Sequence, residues 1–248
     1  MIWQHAPMPA GVAFRIDLPH GRCVGVRIPS GVEHDNLLGL AHGLATLAEE
    51  EREFLDSLSP PRKPTWLAGR IALHEALRDL GLDTGPILVT KRGSPELPAG
   101  ATGSISHKRT LAVALAAPSD GGLSLGVDIE PVPALPPSMT EPGWENRPDI
   151  SSRVMTPQEL AALASIPEST RRRTVILHFS IKEALYKAIN PLVGRYVSFQ
   201  EATVLPRPDG SVTVTLALAQ REGPFAAEAR WSEIHGHLLT TAAVRPAT

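Results

Sequence analysis

The order of apolar and polar positions predicts an alternation of short strands and amphipathic helices. Arg22 to Ile28 reads as an early strand. Leu37 to Leu58 reads as a helix carrying Glu49, Glu50, Glu51 and Glu53, broken by Ser59-Pro60-Pro61. Pro64 to Leu80 is a second helix, with Trp66, Leu73, Leu77 and Leu80 at helical spacing and Gly81 as its stop. Gly93 to Gly103 reads as a loop, and Ser104 to Ala117 as a strand of small and β-branched residues. Pro118-Ser119-Asp120-Gly121-Gly122 is a turn cluster and the best boundary in the chain.

The second half follows a similar plan. Leu123 to Ile129 is an apolar strand, and Pro131 to Pro148 is a proline-rich loop. Thr156-Pro157-Gln158-Glu159 has the form of a capping box with proline in the first turn. A long helix from Ser169 to Ile189 ends at Asn190-Pro191, and strands follow at Phe199 to Val204, Ser211 to Ala217, Ala226 to Trp231 and Leu238 to Val244. Trp66 to Leu73 aligns with Phe179 to Tyr186, a weak internal repeat. Two similar α+β halves are expected, residues 1–119 and 120–248, with a ligand cleft between them.

Composition narrows the class. With 42% hydrophobic and 20% charged residues among 248, the chain is globular rather than disordered. Its apolar runs, such as Leu111 to Ala117, are too short to span a bilayer. The first residues lack a basic start followed by an apolar run, so no signal peptide is expected. A single cysteine, Cys23, excludes an internal disulfide and a cysteine metal cage. A cytoplasmic protein that binds no membrane is expected.

The net charge of −2 argues against nucleic acid as a partner. The charge is unevenly placed, however. From Arg62 to Arg109 there are eight Lys/Arg against four acids, and from Asp128 to Glu168 seven acids against two arginines. This split suggests an anionic ligand and a cation.

Three segments carry candidate chemistry. In Gly126-Val127-Asp128-Ile129-Glu130, strand periodicity puts both acids on one face. Paired carboxylates repel and lose hydration when buried, so a shared proton, an Arg or Lys, or a divalent cation must offset them. Magnesium suits such a pair, since it takes one or two carboxylates together with phosphate oxygens and water. In Phe179 to Ala188, Glu183 and Lys187 stand i, i+4, which alone reads as a surface ion pair. In Gly103-Ser104-Ile105-Ser106-His107 the two serines share a strand face, and no nucleophile elbow is present. His235 and His237 alternate without an acidic partner nearby and are not read as a metal site.

These three segments in this order, preceded by Arg62-Lys63-x-x-Trp66-Leu67-Ala68-Gly69-Arg70, resemble the 4′-phosphopantetheinyl transferases, in the larger form that serves siderophore and peptide synthetases. The likeness covers roughly Glu50 to Ala202. It implies an α+β fold of two similar α/β halves related by a pseudo-two-fold axis. It also implies transfer of the phosphopantetheine arm of CoA to a serine of an apo acyl or peptidyl carrier protein, with release of 3′,5′-ADP.

By the same resemblance, Asp128, Glu130 and Glu183 hold Mg²⁺ against the CoA pyrophosphate, and Lys187 meets the pyrophosphate or the leaving group. Arg62, Lys63, Arg70 and Lys91 or Arg92 meet the 3′-phosphate and adenine end, while Ser106 and His107 bond the nucleotide's phosphates. Glu183 is a candidate acceptor of the serine proton as well as a metal ligand. A CoA-binding module without transfer activity and a Mg²⁺-dependent phosphohydrolase are the alternatives. Phe179 stands where many relatives have Trp, and Lys108 follows His107 where small residues are common. Arg171-Arg172-Arg173, entering the helix that carries Glu183, is a candidate docking run for an acidic carrier. The two-halves plan suggests a monomer.

Overall fold

A computed structural model describes residues 11–29, 40–82, 84–119, 122–132 and 149–247, and the chain divides into two units, Met1–Gly121 and Gly122–Thr248. The first unit contains β1 (Val12–Leu18), β2 (Gly21–Arg27), α1 (Ala41–Thr46), α2 (Glu49–Ser57), a 3₁₀ turn at Pro60–Arg62, α3 (Lys63–Asp79), β3 (Ala101–His107) and β4 (Leu111–Pro118). Its strands form an antiparallel sheet in the order β1-β2-β4-β3. Helix α3 packs across β2, β3 and β4. Leu67, Leu73, Ala76 and Leu77 of the helix close a core with Val24, Val26, Ala112, Ala114 and Ala116 of the sheet. The alanines on β4 keep that sheet surface low and leave room for the leucines of α3.

The second unit contains β5 (Ser124–Pro131), α4 (Ser151–Val154), α5 (Pro157–Ala164), α6 (Glu168–Val193), a 3₁₀ turn at Phe199–Glu201, β6 (Ala202–Pro206), β7 (Ser211–Leu216), β8 (Phe225–Ile234) and β9 (His237–Pro246). Its antiparallel sheet runs β5-β9-β8-β7-β6. Helix α6 lies on β5 and β9, where Ile181, Ala184, Leu185 and Ala188 meet Leu238, Ala242 and Val244. The crossing with β5 is close. A Cβ built on Gly126 would stand 1.8 Å from the Ala184 carbonyl oxygen.

Several elements depart from the sequence reading. Strand β1 was not expected. The helix expected over Leu37 to Leu58 is two helices, with residues 37–39 outside the described residues. The chain turns at buried Leu47, and extended Ala48 gives its N–H to Glu51 Oε2 at 3.1 Å, starting α2 afresh. The strand expected over Ser104 to Ala117 is the hairpin β3–β4, closed by the Lys108 N–H on the Leu111 carbonyl at 2.8 Å. Helix α6 does not stop at Asn190-Pro191 but continues to Val193, where Gly194 at φ 72° ends it. A proline so near a helix end removes one hydrogen bond without breaking the remainder. Phe199–Glu201 is a 3₁₀ turn rather than a strand start. Of the proline-rich loop, residues 133–148 lie outside the described residues.

The internal repeat is real, but its register differs from the one expected. In each unit the third residue of a short helix is a buried glutamate, Glu51 or Glu159, which accepts its own N-cap N–H. Each glutamate then grips a basic side chain on the long helix at the same 23-residue spacing, His74 at 2.8 Å and Lys182 at 2.7 Å. Each also accepts one N–H from the segment beyond that helix, Ile87 or Val204. His74-Glu75-Ala76-Leu77 therefore corresponds to Lys182-Glu183-Ala184-Leu185, not to the pairing of Trp66 with Phe179. Burial raises the Glu51 carboxyl, but the His74 bond and charge and two backbone N–H groups outweigh it and leave the group below its usual value. Burial draws the Lys182 ammonium below the lysine range despite Glu159 beside it.

Just past the end of α6, Arg195 ties two acids together. Its guanidinium meets Glu201 at 2.7 Å and also bonds Glu222. The Arg195 bond holds the Glu201 carboxyl at about 2, far below its ordinary value of 4.5, and the N–H groups of Ala219 and Ser198 add to the effect. The unfolded chain therefore binds this proton more readily than the folded one. The stabilisation is complete above about pH 5 and is lost as pH falls from 4.5 towards 2. Melting curves of the parent and of Glu201→Gln across this range should start apart at pH 6 and converge by pH 2. A gap that does not change with pH would contradict the clamp.

Candidate active site

Strand β5 and helix α6 bring the acidic motifs together. Asp128 and Glu130 are both buried, at 4% and 8% exposure. Val127 and Ile129 between them are fully buried as well, so β5 is covered on both faces and is not a solvated strand end. Asp128 faces α6. The Ser180 Oγ–H donates to Asp128 Oδ2 at 2.9 Å, and Lys187 Nζ meets Asp128 Oδ1 at 2.9 Å and the Val127 carbonyl at 2.8 Å. Lys187 thus reaches the strand, where spacing alone suggested a surface pair with Glu183. Glu183 lies between Ser180 and Lys187 on one stripe of the helix, at i+3 from the first and four residues before the second. It is half-buried.

Carboxylate oxygens are hard donors, and two of them on one strand face suit Mg²⁺, which completes its shell with phosphate oxygens and water. Among the described residues no three His, Cys, Asp or Glu side chains are gathered as a ready-made metal cage. Asp128 and Glu130 share the strand face, and Glu183 is not gathered with them into such a cluster.

The basic candidates lie in the first unit. Arg62 is exposed in the 3₁₀ turn before α3, and Lys63 opens that helix 3.6 Å from Asp56. Lys91 and Arg92 are exposed at a turn closed by the Gly93 N–H on the Thr90 carbonyl. Arg70 differs from these. It is 4% exposed, lies 4.8 Å over the Trp66 ring, and gives one N–H to the Leu88 carbonyl at 3.1 Å. Burial pulls its guanidinium down to about 10 against the pull of Glu51. Its Nε is buried with no hydrogen-bond partner among the described residues. Ser106 is buried and His107 exposed at the end of β3.

Two arginines of the run, Arg171 and Arg173, are held by neighbours. Arg171 donates to the Ile166 and Ala164 carbonyls at 2.9 and 3.0 Å, satisfying the end of α5, and Arg173 pairs with Glu233 at 2.7 Å. Charge counting could not show this, because the partners are a neighbouring helix end and a distant strand. Two polar groups beside Asp128, Ser180 and Thr240, also escaped the sequence reading. Their signal was weak: Ser180 is overshadowed by the charged Lys182 and Glu183 beside it, and Thr240 is one of two threonines in the otherwise apolar stretch Leu238 to Val244.

Residues 50–117 match the 4′-phosphopantetheinyl transferase N-terminal domain, and residues 124–242 match the 4′-phosphopantetheinyl transferase superfamily. The chain is 32% identical to 4′-phosphopantetheinyl transferase Svp of Streptomyces mobaraensis, over 81% of this chain and 80% of that protein. It is 33% identical to enterobactin synthase component D of Salmonella typhimurium, over 78% and 69% respectively. For the transferase PptT of Mycobacterium tuberculosis the identity is 29%, over 68% and 69%.

Proposed function

The chain belongs to the 4′-phosphopantetheinyl transferase superfamily and moves the 4′-phosphopantetheine arm of CoA to a carrier protein, and we propose that Asp128, Glu130, Glu183 and Lys187 form its reaction centre. The observation that carries this assignment is Lys187 and Ser180 of α6 both seated on Asp128 of β5. Asp128, Glu130 and Glu183 would hold Mg²⁺, which neutralises the pyrophosphate and polarises the reacting phosphorus. The serine hydroxyl of the carrier attacks the β-phosphorus of CoA, its proton leaves, and the bond to 3′,5′-ADP breaks. Glu183, half-buried on the helix stripe, takes that proton directly or through water. Lys187 supplies fixed positive charge where the leaving phosphate gathers negative charge.

Arg62, Lys63, Arg70 and Lys91 or Arg92 bind the 3′-phosphate and adenine end, and Ser106 and His107 the phosphates. We read the active form as a monomer in the cytoplasm. No helix among the described residues is long and apolar enough to cross a membrane.

The direct test incubates the protein with CoA, Mg²⁺ and an apo carrier and weighs the carrier by mass spectrometry. Gain of the phosphopantetheine arm is expected. CoA cleavage with an unchanged carrier would indicate a hydrolase instead. Binding residues are tested with dephospho-CoA, which lacks the 3′-phosphate. Lys63→Ala should raise the KM for CoA roughly three- to tenfold at low salt, as loss of one charged contact does. With dephospho-CoA the same variant should match its parent. Equal losses with both ligands would place Lys63 away from that phosphate.

A further inference from the structure

Ser180 and Thr240 are fully buried, and both belong to the surroundings of Asp128. Thr240 is the register partner of Asp128 across β5 and β9. Its Oγ1 lies 2.9 Å from Ser180 Oγ and 2.9 Å from the Ser180 carbonyl. The proton count gives this chain a direction. An ionised carboxylate only accepts, so the one hydroxyl proton of Ser180 is committed to Asp128 Oδ2. Thr240 must then be the donor to Ser180. Its single proton faces the Ser180 hydroxyl and carbonyl oxygens at 2.9 Å each, with the Asp128 carbonyl farther off at 3.5 Å, which fixes the Ser180 side chain from behind.

The fold does not require a hydroxyl at this place. In the first unit the residue two before the clamp base His74 is Ala72, as Ser180 is two before Lys182. Ala72 is fully buried, so an equivalent long helix packs a methyl group there. The serine accompanies Asp128, not the packing.

We propose that Ser180, backed by Thr240, is a positioning residue that holds the Asp128 carboxylate in the orientation in which it meets a divalent cation. This rests on the reading of Asp128 as a metal-holding group. With Oδ2 tethered to Ser180 and Oδ1 beside Lys187, the carboxylate has one rotamer instead of several. Groups that orient a metal-bound side chain typically contribute 10–100-fold in metal affinity.

The test uses Mn²⁺ as the probe, titrated into the full chain with CoA but no carrier, so that no turnover occurs. Free Mn²⁺ is read by electron paramagnetic resonance. Ser180→Ala should weaken Mn²⁺ binding about tenfold, with a melting temperature near the parent's. It should raise the Mg²⁺ concentration for half-maximal transfer by the same factor and leave the KM for CoA unchanged. Ser180→Thr, which keeps the hydroxyl, should restore most of the affinity, and Thr240→Val should show a smaller loss of the same kind. Asp128→Asn serves as the control. If it loses Mn²⁺ while Ser180→Ala binds like the parent, the positioning role is overturned and the metal reading stands. If Asp128→Asn binds Mn²⁺ normally, both fall. A lower melting temperature for Ser180→Ala with unchanged Mn²⁺ affinity would show a purely structural serine and overturn the proposal.

Discussion

Asp128→Asn is expected to slow phosphopantetheinyl transfer by about a thousandfold, equivalent to roughly 4 kcal/mol of transition-state stabilisation. The substitution keeps the shape of the side chain. Its amide oxygen can still accept from Ser180, whose hydroxyl lies 2.9 Å from Oδ2 in the parent. What disappears is the negative charge, and with it both the attraction for a divalent cation and the ion pair that seats Lys187 at 2.9 Å. Lys187 is a quarter exposed, so its ammonium can turn to water rather than remain buried alone. The fold should therefore survive, with a melting temperature within about 5 °C of the parent's, a shift of roughly 1–2 kcal/mol for a chain of this size. The measurement is single-turnover transfer to an apo carrier, followed by mass, beside a thermal melt. Turnover within tenfold of the parent would remove Asp128 from the reaction centre. Asp128→Ala would be a poorer experiment, because it leaves the buried Ser180 hydroxyl without its acceptor.

The largest effect on stability is expected from Lys182→Met. Lys182 and Glu159 are almost completely buried, with side chains 1% and 0% exposed. The ammonium makes three hydrogen bonds, to Glu159 at 2.7 Å, the Val154 carbonyl at 2.8 Å and the Phe199 carbonyl at 3.0 Å. Methionine fills the volume but leaves a buried carboxylate without its cation and two carbonyls without their donor. Removing one member of such a pair typically costs about 3–5 kcal/mol, which lowers a melting temperature by roughly 10 °C. The Glu159 carboxylate is held in place whether or not the ammonium is there, because its oxygens also accept the N–H groups of Thr156 and Val204 at 2.6 Å each. Urea denaturation of both proteins gives the difference. A loss below about 1 kcal/mol would mean that water or a neighbour replaces the ammonium.

The sequence made clear what depends on neighbours along the chain. The boundary near Gly121, the capping box at Thr156–Glu159 and the strand carrying Asp128 and Glu130 follow from local spacing and turn chemistry. Three features were not legible in the local pattern. Glu51 sits in a row of acids that reads as a solvated helix face, and only His74, 23 residues on, makes it a buried anchor. The hairpin between His107 and Leu111 turns on Lys108-Arg109-Thr110, which has none of the Gly or Asn that signals a tight turn. The repeat was placed out of register because apolar likeness between Trp66 and Phe179 outweighed the short match His74-Glu75-Ala76-Leu77 to Lys182-Glu183-Ala184-Leu185. For the candidate site, the acids and Lys187 were legible as residue types in a motif, but the contact of Lys187 with Asp128 was not.

Position 126 leaves the sequence no alternative. Every residue other than glycine carries a Cβ, and here that atom would fall on the main-chain oxygen of Ala184. A clash with a side chain can be relieved by a second substitution, but main-chain atoms are common to all residues. No companion change at position 184 can therefore make room, and only a displaced helix can. Such a displacement would carry Ser180 and Lys187 away from Asp128 together. In the space of sequences that keep this seam, Gly126 is an isolated point: chemistry two residues along the strand is inherited only with the missing side chain beside it.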